Sequence, residues 1–194
     1  AADTLDGGKG KDTFKLYDDA AGAGTTKIGS LPTLKNIENV VIYDNKNTTL
    51  DLAKWDTVET LSLVNSITTT TTDLGEKVTT VNFEDIAAGN TQGVKFNNAL
   101  TAATIGVNKV GTTATAATVN VDSATTAGAL KTLTVDASGK LSNVTLAQTT
   151  ATIETLNITG KADLTLATAL TTIKTVNGSK AEGKLVLSKL ATMT

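Results

Sequence analysis

The sequence predicts an all-β protein, a parallel β-solenoid of the β-roll or β-helix kind, with about seven degenerate repeats of roughly 20–28 residues. Three observations predict this fold. A six-residue phrase recurs along the chain, threonine holds the same place in most copies, and a second short apolar segment often follows. Threonine also supplies about one residue in five, and β-branched side chains suit a pleated surface.

Each copy of the phrase predicts one strand. Apolar residues occupy its first, fourth and sixth places, and the last two alternate as in a strand with one buried face. One unit cannot bury that face alone, but a stack of units can. The copies are IENVVI (37–42), VETLSL (58–63), VTTVNF (78–83), LKTLTV (130–135), IETLNI (153–158) and two degenerate ones, AATIGV (102–107) and IKTVNG (173–178).

Short apolar alternations predict a second strand in many repeats. They are LDL (50–52), VKF (94–96), VNV (119–121), LTL (164–166) and LVL (185–187). The threonine run at 68–72 predicts a connecting loop or an irregular strand, and residues 36–39 and 52–56 each allow a short helical turn. An antiparallel sandwich of threonine-rich strands is the alternative fold.

Two side-chain columns should run along the solenoid, one outward and one inward. Same-residue columns are natural when coils stack in register, whereas a sandwich has no reason to repeat them. The outward column is expected to hold Thr60, Thr80, Thr132, Thr155 and Thr175, and the inward column Leu61, Val81, Leu133 and Leu156. The outward places next to the threonines are Ser62, Asn82, Thr134, Asn157 and Asn177, which form no uniform second threonine rank and so argue against ice binding.

The composition excludes several classes of function. The net charge is −2 and every basic residue is Lys, so neither nucleic acid nor an acidic membrane surface is an expected partner. No apolar run approaches the length needed to span a bilayer, so membrane insertion is not expected. The chain has no His and no Cys, which excludes most zinc, copper and haem sites and the usual nucleophile pairs. We therefore predict that the protein is not an enzyme. The lack of Cys fits a secreted protein without disulfides, and a first residue other than Met predicts a processed product or an excised piece.

The first residues carry a distinct motif. The stretch GGKGKDTFK (7–15) resembles the nonapeptide of RTX proteins, the glycine- and aspartate-rich repeats of many bacterial proteins exported by type I secretion. The preceding ADTLD (2–6) is similar to the tail of another copy. The resemblance implies a calcium-binding turn followed by a short strand.

That resemblance also implies roles for individual residues. Gly7 and Lys9 would offer backbone carbonyls to Ca²⁺, Asp12 its carboxylate, and Phe14 would be the buried anchor. Asp3 and Leu5 take the equivalent places in the partial copy. Asp18 and Asp19, just after the strand, are candidates to complete the ligand set of the same turn. Calcium prefers six to eight oxygen ligands, and glycine turns expose carbonyls.

The whole chain divides into two continuous parts by this interpretation. Residues 1–33 form the RTX-like calcium-binding turn and its lead-in, and residues 34–194 form the threonine-rich solenoid. A chain in which RTX repeats lie next to ETLNI-type units resembles bacterial surface-layer proteins. This implies an extracellular, cell-surface structural component that self-associates into a lattice and contacts cell-surface polysaccharide. The alternatives are an adhesin segment that binds glycan or another cell, and the non-catalytic tail of a secreted RTX hydrolase.

Two further groups of residues leave alternatives open. Acids close several predicted strands, where they would either bind calcium between coils or make ordinary turn hydrogen bonds. They are Asp44, Asp85, Asp122 and Asp136. Trp55 and Tyr43 either form a recognition spot for sugar or a partner chain, or Trp55 fills or caps the core.

Overall fold

The computed structural model describes residues 3–18, 31–46, 49–66, 70–125, 129–168 and 170–188. Within these residues the chain forms seventeen β-strands and no helix. The strands are β1 (Thr4–Asp6), β2 (Thr13–Tyr17), β3 (Thr33–Lys35), β4 (Asn39–Tyr43), β5 (Thr49–Asp51), β6 (Thr60–Val64), β7 (Thr70–Asp73), β8 (Thr80–Ile86), β9 (Thr91–Phe96), β10 (Ala102–Val110), β11 (Ala117–Ser123), β12 (Thr132–Ala137), β13 (Ser142–Ala147), β14 (Thr155–Gly160), β15 (Leu164–Thr168), β16 (Thr175–Ala181) and β17 (Leu185–Ser188).

The strands confirm a parallel β-solenoid. The even-numbered strands form one eight-stranded sheet, here called the long sheet, in the order β2 to β16. The odd-numbered strands from β5 to β17 form a second, seven-stranded sheet, and β1 pairs with β3 in a two-stranded sheet. The pairs are parallel because each coil returns to the same face in the same direction.

Apart from the copy at 102–107, which lies wholly within β10, each repeated phrase turns a corner before it enters the long sheet. Residues at its first and fourth places are both buried, for example Val58 and Leu61, although an odd spacing in a straight strand would place them on opposite faces. The chain bends between them, where two successive N–H groups donate to one carbonyl of the preceding coil. Glu59 and Thr60 donate in this way to the carbonyl of Glu38, at 2.8 and 3.0 Å. The same pair of bonds recurs at Thr79–Thr80, Lys131–Thr132, Glu154–Thr155 and Lys174–Thr175.

The core lies between the sheets and is made of aliphatic side chains with few aromatics. Trp55 belongs to it: its side chain is 1% exposed, its Nε1 donates to the carbonyl of Pro32 at 2.9 Å, and its ring meets the Phe14 ring edge-on at 6.4 Å. Trp55 lies in the turn after β5, which folds without a helix. The core alternative for this residue is therefore the correct one.

The predicted inward column is wrong in one respect. Its four residues are all buried, but they lie in two different columns. Val81 pairs with Ile105, and Ile105 pairs with Val135, whereas Leu133 pairs with Ala103. The nine-residue strand β10 thus shifts the repeat by two residues. An even shift keeps every side chain on its own face, so the core tolerates it, and alignment of the phrases alone cannot reveal it.

The same shift changes the outward face. The threonines at the third place divide into two groups, and a continuous rank of Thr and Asn side chains instead crosses all eight strands of the long sheet. It consists of Thr13, Asn39, Thr60, Thr80, Thr104, Thr134, Asn157 and Asn177. The outward direction predicted for the threonines is confirmed by the alternating burial of these strands.

Two other segments bear on the sequence predictions. Of the two alternatives for the threonine run at 68–72, its described part follows the strand: it enters β7 of the second sheet at Thr70, and residues 68 and 69 lie outside the described residues. Strand β13 was not predicted, because its segment SNVTLA carries a polar residue, Asn143, at an 8% exposed position. The side chain of Asn143 is accommodated there by donating to the carbonyl of Thr112 at 2.8 Å.

Leu133 tests the assignment of the two faces. Its side chain is 0% exposed, so Leu133→Ala should lower the free energy of unfolding by about 2 to 5 kcal/mol, the range for a buried Leu that leaves a cavity. Thr132→Ser, one place away on the outward face, should cost less than about 0.5 kcal/mol. Urea denaturation measures both, and equal losses would contradict the assignment.

Thr72 offers the opposite test. It is buried in the second sheet between Leu50 of β5 and Val94 of β9, and its Oγ1 has no hydrogen-bond partner. A buried, unsatisfied polar group costs about 1–3 kcal/mol, so Thr72→Val, which keeps the shape, should stabilise the protein by about 1 kcal/mol. Thr80→Val on the outward face is the control and should change stability by less than about 0.5 kcal/mol. A destabilised Thr72→Val protein would show that the hydroxyl is satisfied.

Candidate functional site

The turn between β1 and β2 has the backbone that its glycines predict. Gly8 and Gly10 have φ angles of 79° and 121°, a region that favours glycine. The Oδ1 atom of Asp6 accepts hydrogen bonds from the N–H of Gly8 at 3.0 Å and from Nδ2 of Asn36 at 2.9 Å. The bond from Asn36, followed by that from Gly8, lowers the pKa of the Asp6 carboxyl. The turn is thus tied to the next coil.

Asp12 closes this turn with one unsatisfied oxygen. Its N–H donates to Oε2 of Glu38 at 2.9 Å, and its carbonyl accepts from the N–H of Asn39 at 3.0 Å. Its Oδ2 atom is buried and has no hydrogen-bond partner. Gly7 packs directly on this side chain, since a Cβ at residue 7 would come within 2.9 Å of the Asp12 Cγ atom. A Cβ on Gly10 would lie 3.9 Å from Oδ2, so this oxygen borders the glycine turn.

The other predicted ligands are placed less favourably. Asp3 and Lys9 have exposed side chains near the turn, and the carbonyl of Asp3 accepts from the N–H of Thr33 at 2.9 Å. Asp18 is 5% exposed, and its Oδ2 accepts from the N–H of Lys46 at 2.9 Å. It lies beyond the opposite end of β2 from Asp12, about 20 Å away at the rise of an extended strand. One ion therefore cannot contact both, and Asp19 lies outside the described residues.

The donor set at the turn determines what could bind there. No group of three or more His, Cys, Asp or Glu side chains among the described residues is placed to hold a metal ion. An ion at this turn would therefore depend on the Asp12 carboxylate and on backbone carbonyls. Such an all-oxygen set suits a hard cation such as Ca²⁺.

Acids that close the strands bond to the adjacent coil. Asp44 and Asp85 have φ angles of 56° and 54°, and Asn65 between them has 50°. Nδ2 of Asn65 donates to the Asp44 carboxylate at 2.5 Å. Nζ of Lys109 lies 2.7 Å from the Asp85 carboxylate. These left-handed residues form a corner column that sequence periodicity did not reveal, because turn preference alone does not specify which corners stack.

Two other acids join coils by accepting hydrogen bonds. Oδ1 of Asp122 accepts from the N–H groups of Thr149 and Thr150, at 2.5 and 2.7 Å. Oδ1 of Asp136 accepts from the hydroxyl of Thr159 at 2.6 Å. Each of these four corner acids thus has a partner in the next coil, which fits the hydrogen-bonding alternative.

Charged side chains also stack along the corner that leads into the long sheet. Lys131 and Lys174 lie on either side of Glu154, with Nζ–Oε distances of 3.2 and 2.7 Å. Together they lower the pKa of the Glu154 carboxyl, Lys174 more than Lys131. We call these three residues the charge ladder. At the other end of the solenoid Lys11 pairs with Glu59 at 3.0 Å, which raises the pKa of Lys11.

An aromatic pair lies on the outward face of the long sheet. The rings of Tyr17 and Tyr43 stack with centroids 4.5 Å apart and an interplanar angle of 5°, and Tyr17 is 61% exposed. The sequence hypothesis grouped Tyr43 with Trp55, but Trp55 is a core residue. The signal for the true partner was present, because Tyr17 and Tyr43 each end a five-residue strand, TFKLY and NVVIY, and the two strands pair in register.

Comparisons with protein-family models, curated proteins and solved structures give no significant match for this chain. Among the described residues there is no helix of the length and apolar character needed to cross a membrane.

Glu154 predicts how stability depends on pH. Because the folded-state pKa lies below the ordinary value of 4.5, the carboxylate stabilises the fold above that value, and this contribution disappears as pH falls through the folded-state pKa. Glu154→Gln should therefore lower the thermal midpoint at about pH 7 and have a smaller effect at about pH 2, because Glu154 becomes protonated, and so neutral like Gln, as the pH falls.

Glu76→Gln, in the exposed turn between β7 and β8, is the matched control and should have little effect at either pH. An equal loss for Glu154→Gln at both pH values would mean that packing, rather than charge, stabilises this corner.

Proposed function

We propose that this chain is a structural segment of a bacterial extracellular surface layer, a self-associating solenoid whose first turn binds calcium. The RTX-like motif at residues 7–15 and the repeats that follow support the assignment. A parallel stack of coils offers repeated contacts along its flanks and at its ends, as a lattice component requires. The proposal assigns no catalytic activity to the chain.

The observation that carries the calcium part is the buried Oδ2 atom of Asp12. A buried acceptor without a donor costs about 1–3 kcal/mol, more when it is charged, and a bound cation would remove that cost. The carbonyls of Gly7 and Lys9 are the proposed additional ligands, as the motif implies. Bound calcium would neutralise the carboxylate and join the turn to the strand that follows.

The extracellular location and the calcium site support each other. Extracellular calcium modules bind at about 10⁻⁴–10⁻³ M, a concentration that the cytoplasm does not reach. A chain exported unfolded would then complete its first turn only outside the cell. Calcium in this proposal is thus a folding signal as well as a structural ion.

A second candidate function is adhesion to glycan, and the stacked Tyr17–Tyr43 pair favours it. Exposed tyrosines combine an apolar ring with a polar hydroxyl, and this pair lies on the same face of the long sheet as the Thr/Asn rank, separated from it by Lys15 and Val41. If adhesion is the function, Tyr17→Ala should abolish retention on immobilised cell-surface polysaccharide, whereas a lattice component would retain its assembly.

Calcium binding is the main test. Binding to the folded form alone should stabilise it by roughly 2.7 kcal/mol at a hundredfold excess over the dissociation constant. We expect millimolar calcium to raise the melting temperature, magnesium to do so less, and Asp12→Ala to remove most of the calcium effect. Calorimetric titration and thermal melts measure these changes.

Asp56→Ala is the matched control, because Asp56 is an exposed acid in a turn of the third coil. It should leave the calcium response intact. If calorimetry detects no calcium binding and the melt is the same in chelator, the first turn is only a glycine turn. The surface-layer proposal would then rest on the repeats alone.

A further inference from the structure

A cavity of about 390 Å³ lies on the outward face of the second sheet, in the middle of the stack. Its floor is formed by β9 and β11, and the turn after β13 borders it. Both floor strands have a neighbouring strand on each side, so the cavity belongs to the body of the solenoid. Its volume falls within the range of about 300–1,000 Å³ that small-molecule sites occupy.

Gly93 leaves the space for this cavity. It lies inside β9, which keeps an unbroken register with β7 and β11, and its φ angle lies outside the left-handed region. Neither a bulge nor the backbone conformation therefore requires glycine here, although a glycine inside a strand weakens it. The remaining role of such a glycine is to admit the close approach of another group. At Gly106 of the long sheet that group is the side chain of Asn82, whereas at Gly93 the space is the cavity.

The side walls of the cavity are held in place by bonds to neighbouring coils. Asp122 forms one wall, and its Oδ1 accepts from the N–H groups of Thr149 and Thr150, which fixes the turn after β13. Lys95 is the partner of Asp122 in the pairing of β9 with β11, and its Nζ lies 3.3 Å from Oδ1 of Asp73. A ligand would thus meet walls that are already ordered, which reduces the entropy cost of binding.

Several polar groups at the cavity have no hydrogen-bond partner within the described part of the chain. They are the side-chain amide of Asn120, the Oδ2 atom of Asp122 and the hydroxyl of Thr149. The amide donates and accepts, the carboxylate oxygen accepts, and the Lys95 ammonium has N–H donors beyond the one that faces Asp73. The charges of Lys95 and Asp122 cancel. The cavity therefore offers donors and acceptors side by side without a net charge.

We propose that this cavity binds a neutral sugar, one residue of an uncharged polysaccharide. Each sugar hydroxyl both donates and accepts a hydrogen bond, which matches the mixed groups around Asn120. The bare backbone at Gly93 lets a sugar ring lie close to the sheet. A cation would be repelled by the ammonium of Lys95, and an anion by the carboxylate of Asp122.

The inference goes beyond the proposed function. The cavity lies on a different sheet from the Tyr17–Tyr43 pair and in a different coil from the first turn. Sugar binding there requires neither bound calcium nor a lattice. A negative result for sugar binding would therefore leave the calcium response of the first turn unaffected.

Titration of isotope-labelled protein with sugars, followed by NMR, tests the site. The probes are glucose, galactose and N-acetylglucosamine, with glucuronic acid, galacturonic acid and glucosamine as their charged counterparts. We expect at least one neutral sugar to shift the side-chain amide signal of Asn120 saturably, with a millimolar dissociation constant, and its charged counterpart to bind more weakly. If no neutral sugar in the set shifts this signal, the inference is overturned. Tighter binding of a charged sugar would overturn the choice of ligand.

Two variants alter the cavity without touching the core. Gly93→Thr fills its floor, and because threonine suits a strand, the melting temperature should stay the same or rise while sugar binding is lost. Asn120→Ala removes the unpaired amide and should weaken binding by about fivefold to tenfold, as expected for the loss of about one hydrogen bond. The backbone amide signals of β9 and β11 report binding in both variants.

Asn157→Ala, on the outward face of the long sheet, is the matched control. The Asn157 side chain is also partly buried, and its amide has no partner among the described residues. This variant should leave the sugar affinity unchanged. Equal losses in Asn120→Ala and Asn157→Ala would overturn the assignment of sugar binding to this cavity. So would a Gly93→Thr protein that is folded by circular dichroism and still binds sugar.

Discussion

The fold depends on a corner at which two successive N–H groups donate to one carbonyl of the preceding coil. This bond pair recurs at Glu59–Thr60, Glu154–Thr155 and the equivalent sites. It bends the chain sharply enough to bury both the first and the fourth residues of the phrase. Without that bend each repeat would be a strand with one buried residue fewer, and the aliphatic core would lose a column that includes Val58 and Ile153.

Much of the fold was predictable because two signals agree within each repeat. Alternation marked the strands, and recurrence of the phrase indicated that they stack in parallel. The register across β10 was not predictable, because Ala102 and Thr104 both fit the alternation and a two-residue shift leaves the core unchanged. Strand β13 escaped detection for a related reason: the hydrogen bond that satisfies Asn143 joins residues 31 positions apart.

The parts of the candidate site that lie close together in sequence were predictable. The parts that meet only in the folded structure were not. The glycine turn and Asp12 lie in one short motif, so their association followed from the residues themselves. Asp18 is equally near in sequence, but an extended strand carries it to the other end of the coil. Tyr17 and Tyr43 are distant in sequence and meet only because β2 and β4 pair in register.

The shift at β10 resembles a dislocation in a crystal lattice. On the side of β12 to β16 the outward face carries an extra row, which begins at Ala102 and continues through Thr132 to Thr175 and has no continuation towards β8. The other side has a row of its own at the opposite margin, which runs from Tyr17 to Asn108, so the two patches are equally wide and offset by one row. Two rows cross β10 without interruption: the Thr/Asn row and its neighbour through Asn82, Gly106 and Asp136. A rigid, periodic surface could match one patch only, whereas a thin, linear molecule lying along a shared row would cross the defect without encountering it.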